Sequence, residues 1–156
     1  MTAGLVAAIM SAPAAGAQEN SEDNLAVVDA EATADLLERA NDVVEQVMSY
    51  DYRDLASRRA LVAELTTDDF QRDQGGLFDQ IDTQAPAQQL TLTSTVADSA
   101  ARSIVDDEAE VLVFLDQTSL SGVSQQEGGS GVMFLATFER SDGEWLLDEI
   151  EALGGQ

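Results

Sequence analysis

The chain has 156 residues, with 30 Asp and Glu set against seven cationic side chains, all arginine, for a formal charge of −23. Cysteine, histidine and lysine are missing altogether. That excludes disulfides, thiolate metal sites, imidazole acid–base chemistry and lysine-based Schiff-base or P-loop catalysis. The acidity also argues against nucleic acid, because gripping phosphates needs a basic face. An apolar fraction of 44% is that of a globular domain, and the length suits a single core. The acids themselves read either as a solvated coat suited to salt or as a face that docks a basic partner.

Residues 1–17 (MTAGLVAAIMSAPAAGA) carry no charge, and all 30 acids lie beyond them. The apolar run is short for a ~30 Å hydrocarbon core and contains Pro13. Ala15-Gly16-Ala17 has the small-x-small form of a signal-peptidase site. The segment reads as a signal peptide or a truncated membrane anchor, and either places the rest outside the cytoplasm. Residues 18–28 form a polar, acidic linker, the folded domain is expected over 29–153, and 154–156 form a tail.

Leu36, Leu37, Ala40, Val43, Val44, Val47 and Met48 recur at three- and four-residue spacing and predict an amphipathic helix over residues 30–49. A shorter helix is expected over 55–65. Thr67 is placed as the N-cap of a third helix ahead of Phe70, which Gly75-Gly76 loosens or breaks and Ala85-Pro86 closes. Beyond Pro86 the period becomes two. Leu90, Leu92, Ser94 and Val96 alternate with threonines as in a half-buried strand, and the apolar run 110–115 (EVLVFL) predicts a central strand. Residues 119–131 (SLSGVSQQEGGSG) read as a flexible hairpin loop. Two further strands, 131–140 and 144–153, flank an Asp142-Gly143 turn. The order predicts an α+β fold, with three N-terminal helices packed on a curved four-stranded antiparallel sheet.

Several of these segments, taken in order and spacing, resemble the Mce-associated proteins of actinobacteria. They are the helix ending in Tyr50-Asp51-Tyr52, the Leu65-Thr66-x-x-x-Phe70 step and the strand 109–114 (AEVLVF). The terminal Phe138-Glu139-Arg140-x-Asp142-Gly143-x-Trp145-Leu146-Leu147 completes the set. The family accompanies Mce lipid-import complexes in the cell envelope, and the resemblance spans about residues 29–153. It implies a cone-shaped fold like that of nuclear transport factor 2 and SnoaL-type cyclases, with Mce transport subunits or other envelope proteins as partners. It carries over no catalytic residues. Residues 1–17 depart from the basic stretch and full transmembrane helix usual in the family.

Four residues are candidates for lining the cone. Trp145, after the Asp142-Gly143 turn, reads as a core plug or a ligand-stacking ring. Tyr50 and Tyr52 leave opposite sides of a helix end, so one of the two is expected to be buried. Asp148 is expected to share a strand face with Leu146, Ile150 and Ala152, which makes it the one acid turned inward; general acid–base work would require that burial. Asp106-Asp107-Glu108 begins a strand and lacks the spacing of a calcium loop, and no metal or cofactor is expected. Arg58-Arg59 is expected to pair with Asp54 or Asp51, and Arg39 with Asp35. The function this predicts is a noncatalytic, extracytoplasmic accessory protein of a Mce-type lipid or sterol transport complex. The alternative is a SnoaL-like small-ligand-binding protein or enzyme using the cone cavity, with Asp148 and Tyr50 in one pocket.

Overall fold

Residues 29–155 are described by the computed structural model; the expected signal or anchor segment and the linker lie outside them. Helix α1 (Ala30–Val47) starts where Asp29 accepts a hydrogen bond from the Ala32 amide, 2.9 Å. Its predicted stripe is its buried face: Leu36, Ala40, Val43, Val44 and Val47 are buried, and Leu37 and Met48 pack against the core. After α1 the chain forms β1 (Tyr50–Asp51), α2 (Leu55–Leu65) and α3 (Asp68–Gln88). Four long strands complete it: β2 (Leu90–Val105), β3 (Glu108–Ser121), β4 (Gln126–Ser141) and β5 (Glu144–Gly155). All strand pairs are antiparallel in the order β1-β2-β3-β4-β5. The apolar strand β3 lies at the centre, as expected.

The sheet therefore has five strands, not four. The fifth, β1, pairs only Tyr50 with Leu92 and Asp51 with Thr91; two residues are too few to leave a periodicity. Past β1, strand β2 is an edge, and α1 with the residues just after it takes up two of its amides. Ser94 N–H donates to Ser49 Oγ (2.9 Å) and Val96 N–H to Glu45 Oε1 (2.7 Å). The buried Ser94 hydroxyl donates to the Met48 carbonyl, 2.7 Å. Covering an edge in this way denies it to other chains.

Curvature comes from four extra residues, two in β2 and two in β5, while the pairing of β3 with β4 is unbroken. In β2 the register skips Ala97 and Arg102. Inward positions run Leu92, Ser94, Val96, switch to Ser99 and Ala101, and switch back at the buried Ile104. Each bulge bends its strand and inverts the facing of the residues beyond it. With the flanking strands lengthened against an unbroken centre, the sheet curls around α1, which contacts β2, β3 and β5. The core joins α1 to Val111, Val113 and Leu115 of β3, Phe134, Ala136 and Phe138 of β4, and Trp145 and Leu147 of β5.

Two expectations about loops and breaks are corrected. Gly75-Gly76 does not interrupt α3, and Pro86 lies within it; the helix ends at Gln89, left-handed at φ 53°. A Cβ at either glycine of that pair would meet nothing within 4 Å, so the pair weakens the helix without breaking its hydrogen bonds. The Ser- and Gly-rich stretch is mostly strand, because backbone pairing needs no bulky side chain: Thr118 faces Gly129 and Ser119 faces Gly128. Only residues 122–125 turn, held to the end of α3 by Gly122 N–H donating to the Gln89 carbonyl at 3.0 Å. A Cβ on Gly122 would fall 2.9 Å from Gln89 Cβ, so this approach requires glycine. The Asp142-Gly143 turn forms as expected, with φ of 52° and 82°, and β5 continues past the expected boundary to Gly155.

Self-repulsion of a −23 chain sets the first expected outcome. Raising salt from about 10 mM to about 1 M shortens the Debye length from ~30 to ~3 Å and should raise the thermal midpoint followed by circular dichroism.

Candidate functional site

Helix α3 is seated most deeply at its ends. Phe70 and Ala85 are buried, but between them Phe78 and Ile81 are half-buried and Leu77 is 50% exposed. Beneath this stretch lies a pocket of about 440 Å³, walled by the end of α1, by α3, and by inward residues of the sheet that include Leu92, Phe134 and Ile150. Its lining contains no carboxylate. Its polar groups are Tyr50, Arg58, Gln74 and Gln117, and Gln117 Nε2 donates to Ser94 Oγ at 2.9 Å.

Arg58 is its charged member. The guanidinium donates from Nε to the Ser49 carbonyl and from Nη2 to the Val47 carbonyl, each 3.1 Å, at the carbonyl end of α1. It lies 4.8 Å from the centre of the Phe78 ring and 5.7 Å from that of Tyr50. Burial pulls the Arg58 pKa below its ordinary value, partly offset by Asp82 and Tyr50. Burial also raises the Tyr50 phenol, partly offset by Arg58. The expected pairing of the doublet with Asp54 or Asp51 does not form. Arg59 reaches across to Asp79 and Asp82 of α3, and Arg58 turns inward to the carbonyls. Arg39 likewise pairs with Glu144 (3.9 Å) and donates to the Trp145 carbonyl rather than meeting Asp35.

The four candidate residues separate. Both tyrosines are half-buried, so the expected burial of one of them is not seen; Tyr50 lines the pocket, whereas Tyr52 sits at the turn after β1, with the Arg53 guanidinium 5.8 Å from its ring. Trp145, 9% exposed, belongs to the core and also lines a separate cleft with Arg39 and Arg140, the latter over its ring at 4.8 Å from the indole centre. Asp148 lines neither space. The register runs from Phe138–Leu147 to Thr137–Glu149, so Asp148 is the extra residue of a bulge. That bulge corrects the strand-face expectation: Trp145 and Leu147 face the core before it, Ile150 after it, and Leu146 is only partly buried. Asp148 accepts a hydrogen bond from the Thr67 hydroxyl at 2.6 Å, while Thr67 Oγ1 caps α3 by accepting from the Phe70 amide. Thr67 N–H also donates to the Leu147 carbonyl, 3.0 Å. Asp148 therefore fastens the start of α3 to β5, and no acid–phenol pair with Tyr50 is assembled. Among the described residues no group of three metal-ligating side chains forms.

A second surface lies on the outer side of the sheet. Ala109, Val111, Val113 and Leu115 are buried under the helices, so Leu112 and Phe114 point away from them. Leu112 faces Leu135 and Phe114 faces Met133 across β3 and β4, and Phe114 is 48% exposed. The neighbouring outward positions are Asp98, Glu110, Asp116, Glu149 and Glu151. The result is a four-residue apolar patch in an acidic frame. The sequence shows EVLVFL as one apolar run, but only the burial separates its inner face from its outer one.

No known family model matches the chain, and no curated protein matches it in sequence. Solved structures do match in fold. An IcmL-like type IV secretion system protein from Legionella pneumophila aligns with TM-score 0.65 at 10% identity, over 76% of this chain and 90% of that one. CagV, a VirB8 homolog of the type IV secretion system of Helicobacter pylori, aligns with TM-score 0.62 at 9% identity, over 76% and 96%. A periplasmic fragment of TraM aligns with TM-score 0.60 at 9% identity, over 76% and 95%. At such identities the likeness establishes the fold alone: an α+β protein whose helices cover one side of a curved antiparallel sheet.

Two outcomes are expected from the local contacts. Thr67→Ala removes both the cap and the Asp148 bond and should cost about 1 kcal/mol by denaturant titration, with Thr67→Ser largely neutral. Side-chain and backbone hydrogen bonds from Arg53 hold Asp51 down from the ordinary 3.8 to about 2. A depressed folded value means this contribution is complete above the unfolded pKa and is lost as the pH falls toward about 2. Asp51→Asn should accordingly make acid unfolding shallower in that window.

Proposed function

We propose that this domain is a noncatalytic, extracytoplasmic accessory protein of an envelope transport assembly, acting through protein contacts made by the outer face of its sheet. The carrying observation is the Leu112–Phe114–Met133–Leu135 patch framed by five carboxylates. An exposed apolar cluster with a charged rim is the anatomy of a docking surface. The acidic frame selects a partner whose apolar segment is flanked by arginine or lysine and repels a second copy of this chain. It equally disfavours the anionic surface of a bilayer.

Support for the setting comes from the fold. The similar structures include components of type IV secretion systems, and the TraM fragment is periplasmic. No helix of the described residues is long and apolar enough to cross a membrane, and the uncharged segment 1–17 supports export. The ordered segments resembling Mce-associated proteins point to a Mce-type lipid or sterol transporter as the assembly, with its extracytoplasmic subunits supplying the basic-flanked segment.

Phe114→Glu tests this reading. The residue is half exposed, so stability should move by no more than about 0.5 kcal/mol. Co-purification with the extracytoplasmic domains of Mce subunits should fall at least tenfold. Unchanged recovery of those subunits, or their failure to bind the parent protein, overturns the proposal.

A further inference from the structure

All seven arginines of the chain lie among the described residues. Six form ion pairs: Arg39 with Glu144, Arg53 with Asp51, Arg59 with Asp79 and Asp82, Arg72 with Asp69, Arg102 with Glu110, and Arg140 with Asp107. Among the described residues Arg58 alone forms no ion pair, in a chain where acids outnumber cations fourfold. It is also the arginine that lines the apolar pocket.

The charge of Arg58 is only partly balanced. Its partners are the Val47 carbonyl, at a helix end that as a whole carries about half an elementary negative charge, and the Ser49 carbonyl just beyond it; Asp82 acts from farther off, and the rings of Phe78 and Tyr50 add quadrupole attraction. Two of its five N–H donors are used on those carbonyls. The pocket lining is mostly apolar and holds no carboxylate, Asp82 acting on Arg58 from outside it, and its volume of about 440 Å³ lies within the ~300–1,000 Å³ of small-molecule sites. A cation with spare donors at one end of an apolar slot matches a ligand with one anionic group and an aliphatic body.

We infer that this pocket binds an alkyl carboxylate, with the head group on Arg58 and the chain among Leu77, Phe78, Ile81, Phe134 and Ile150. Tyr50, whose ring centre lies 5.7 Å from the guanidinium, stands beside the head group with its hydroxyl as a donor. The exposed middle of α3, carrying Leu77 and the weakening Gly75-Gly76 pair, is the side by which the chain enters. This site is separate from the outer sheet face: it makes the domain a carrier or sensor of an amphiphile in addition to a docking module.

Calorimetric titration at pH 7 and about 0.3 M salt, which screens the overall repulsion, compares dodecanoate with dodecanol and with dodecyltrimethylammonium, each below its micelle-forming concentration. Dodecanoate should bind at least tenfold more tightly than dodecanol, and the ammonium amphiphile more weakly than either. Arg58→Gln should remove the preference for carboxylate over alcohol. Ala152→Phe, an exposed β5 residue at the pocket's edge, should weaken both without unfolding the domain. Phe114→Glu should leave all three affinities unchanged. Equal affinity for dodecanoate and dodecanol, an Arg58→Gln variant that folds and keeps the preference, or no binding by any of the three overturns the inference.

Discussion

Everything in this domain is arranged around seating one helix in the hollow of a bent sheet. The stripe Leu36, Ala40, Val43, Val44 and Val47 finds its complement only where the sheet is concave, and concavity requires the flanking strands to carry residues that the centre lacks. Ala97, Arg102, Asp148 and Leu153 supply them. Without those insertions the alternation in β2 and β5 would present a flat face, and α1 would bury less. The same four positions decide which residues face in, so curvature and core composition are one decision rather than two.

The helices and β3 were legible because their signals are local: a 3.6-residue stripe, a threonine cap, an unbroken apolar run. What escaped were features set by a partner strand. The bulge at Asp148 cannot be seen in Glu144–Gly155 alone; it exists because Thr137 and Phe138 pair with Glu149 and Leu147. Strand β1 exists because Leu92 and Thr91 offer it an edge. The Ser- and Gly-rich hairpin is ordered by its in-register neighbours and by the contact with Gln89, which composition does not record.

The candidate site was legible in its aromatics and not in its charge. Tyr50 and Trp145 announce themselves by size, yet they end in different spaces. Asp51 and Asp54 stand close to Arg58 in sequence, so the sequence alone offers it an acid rather than a carbonyl partner. It is the carbonyl end of α1, brought over by the fold, that draws it inward. The patch on the outer face was hidden similarly: a central strand with one covered face and one bare face reads like a strand covered on both.

The carboxylate frame around that bare face has a further property. Side-chain carboxyls ordinarily titrate at about pH 4 and phenols at about pH 10, and the chain has no imidazole, thiol or amine side chain to fill the interval. Between those ranges the chain holds no side-chain type that ordinarily changes charge. Across that interval a protein built this way responds to the ionic composition of its surroundings more than to proton concentration.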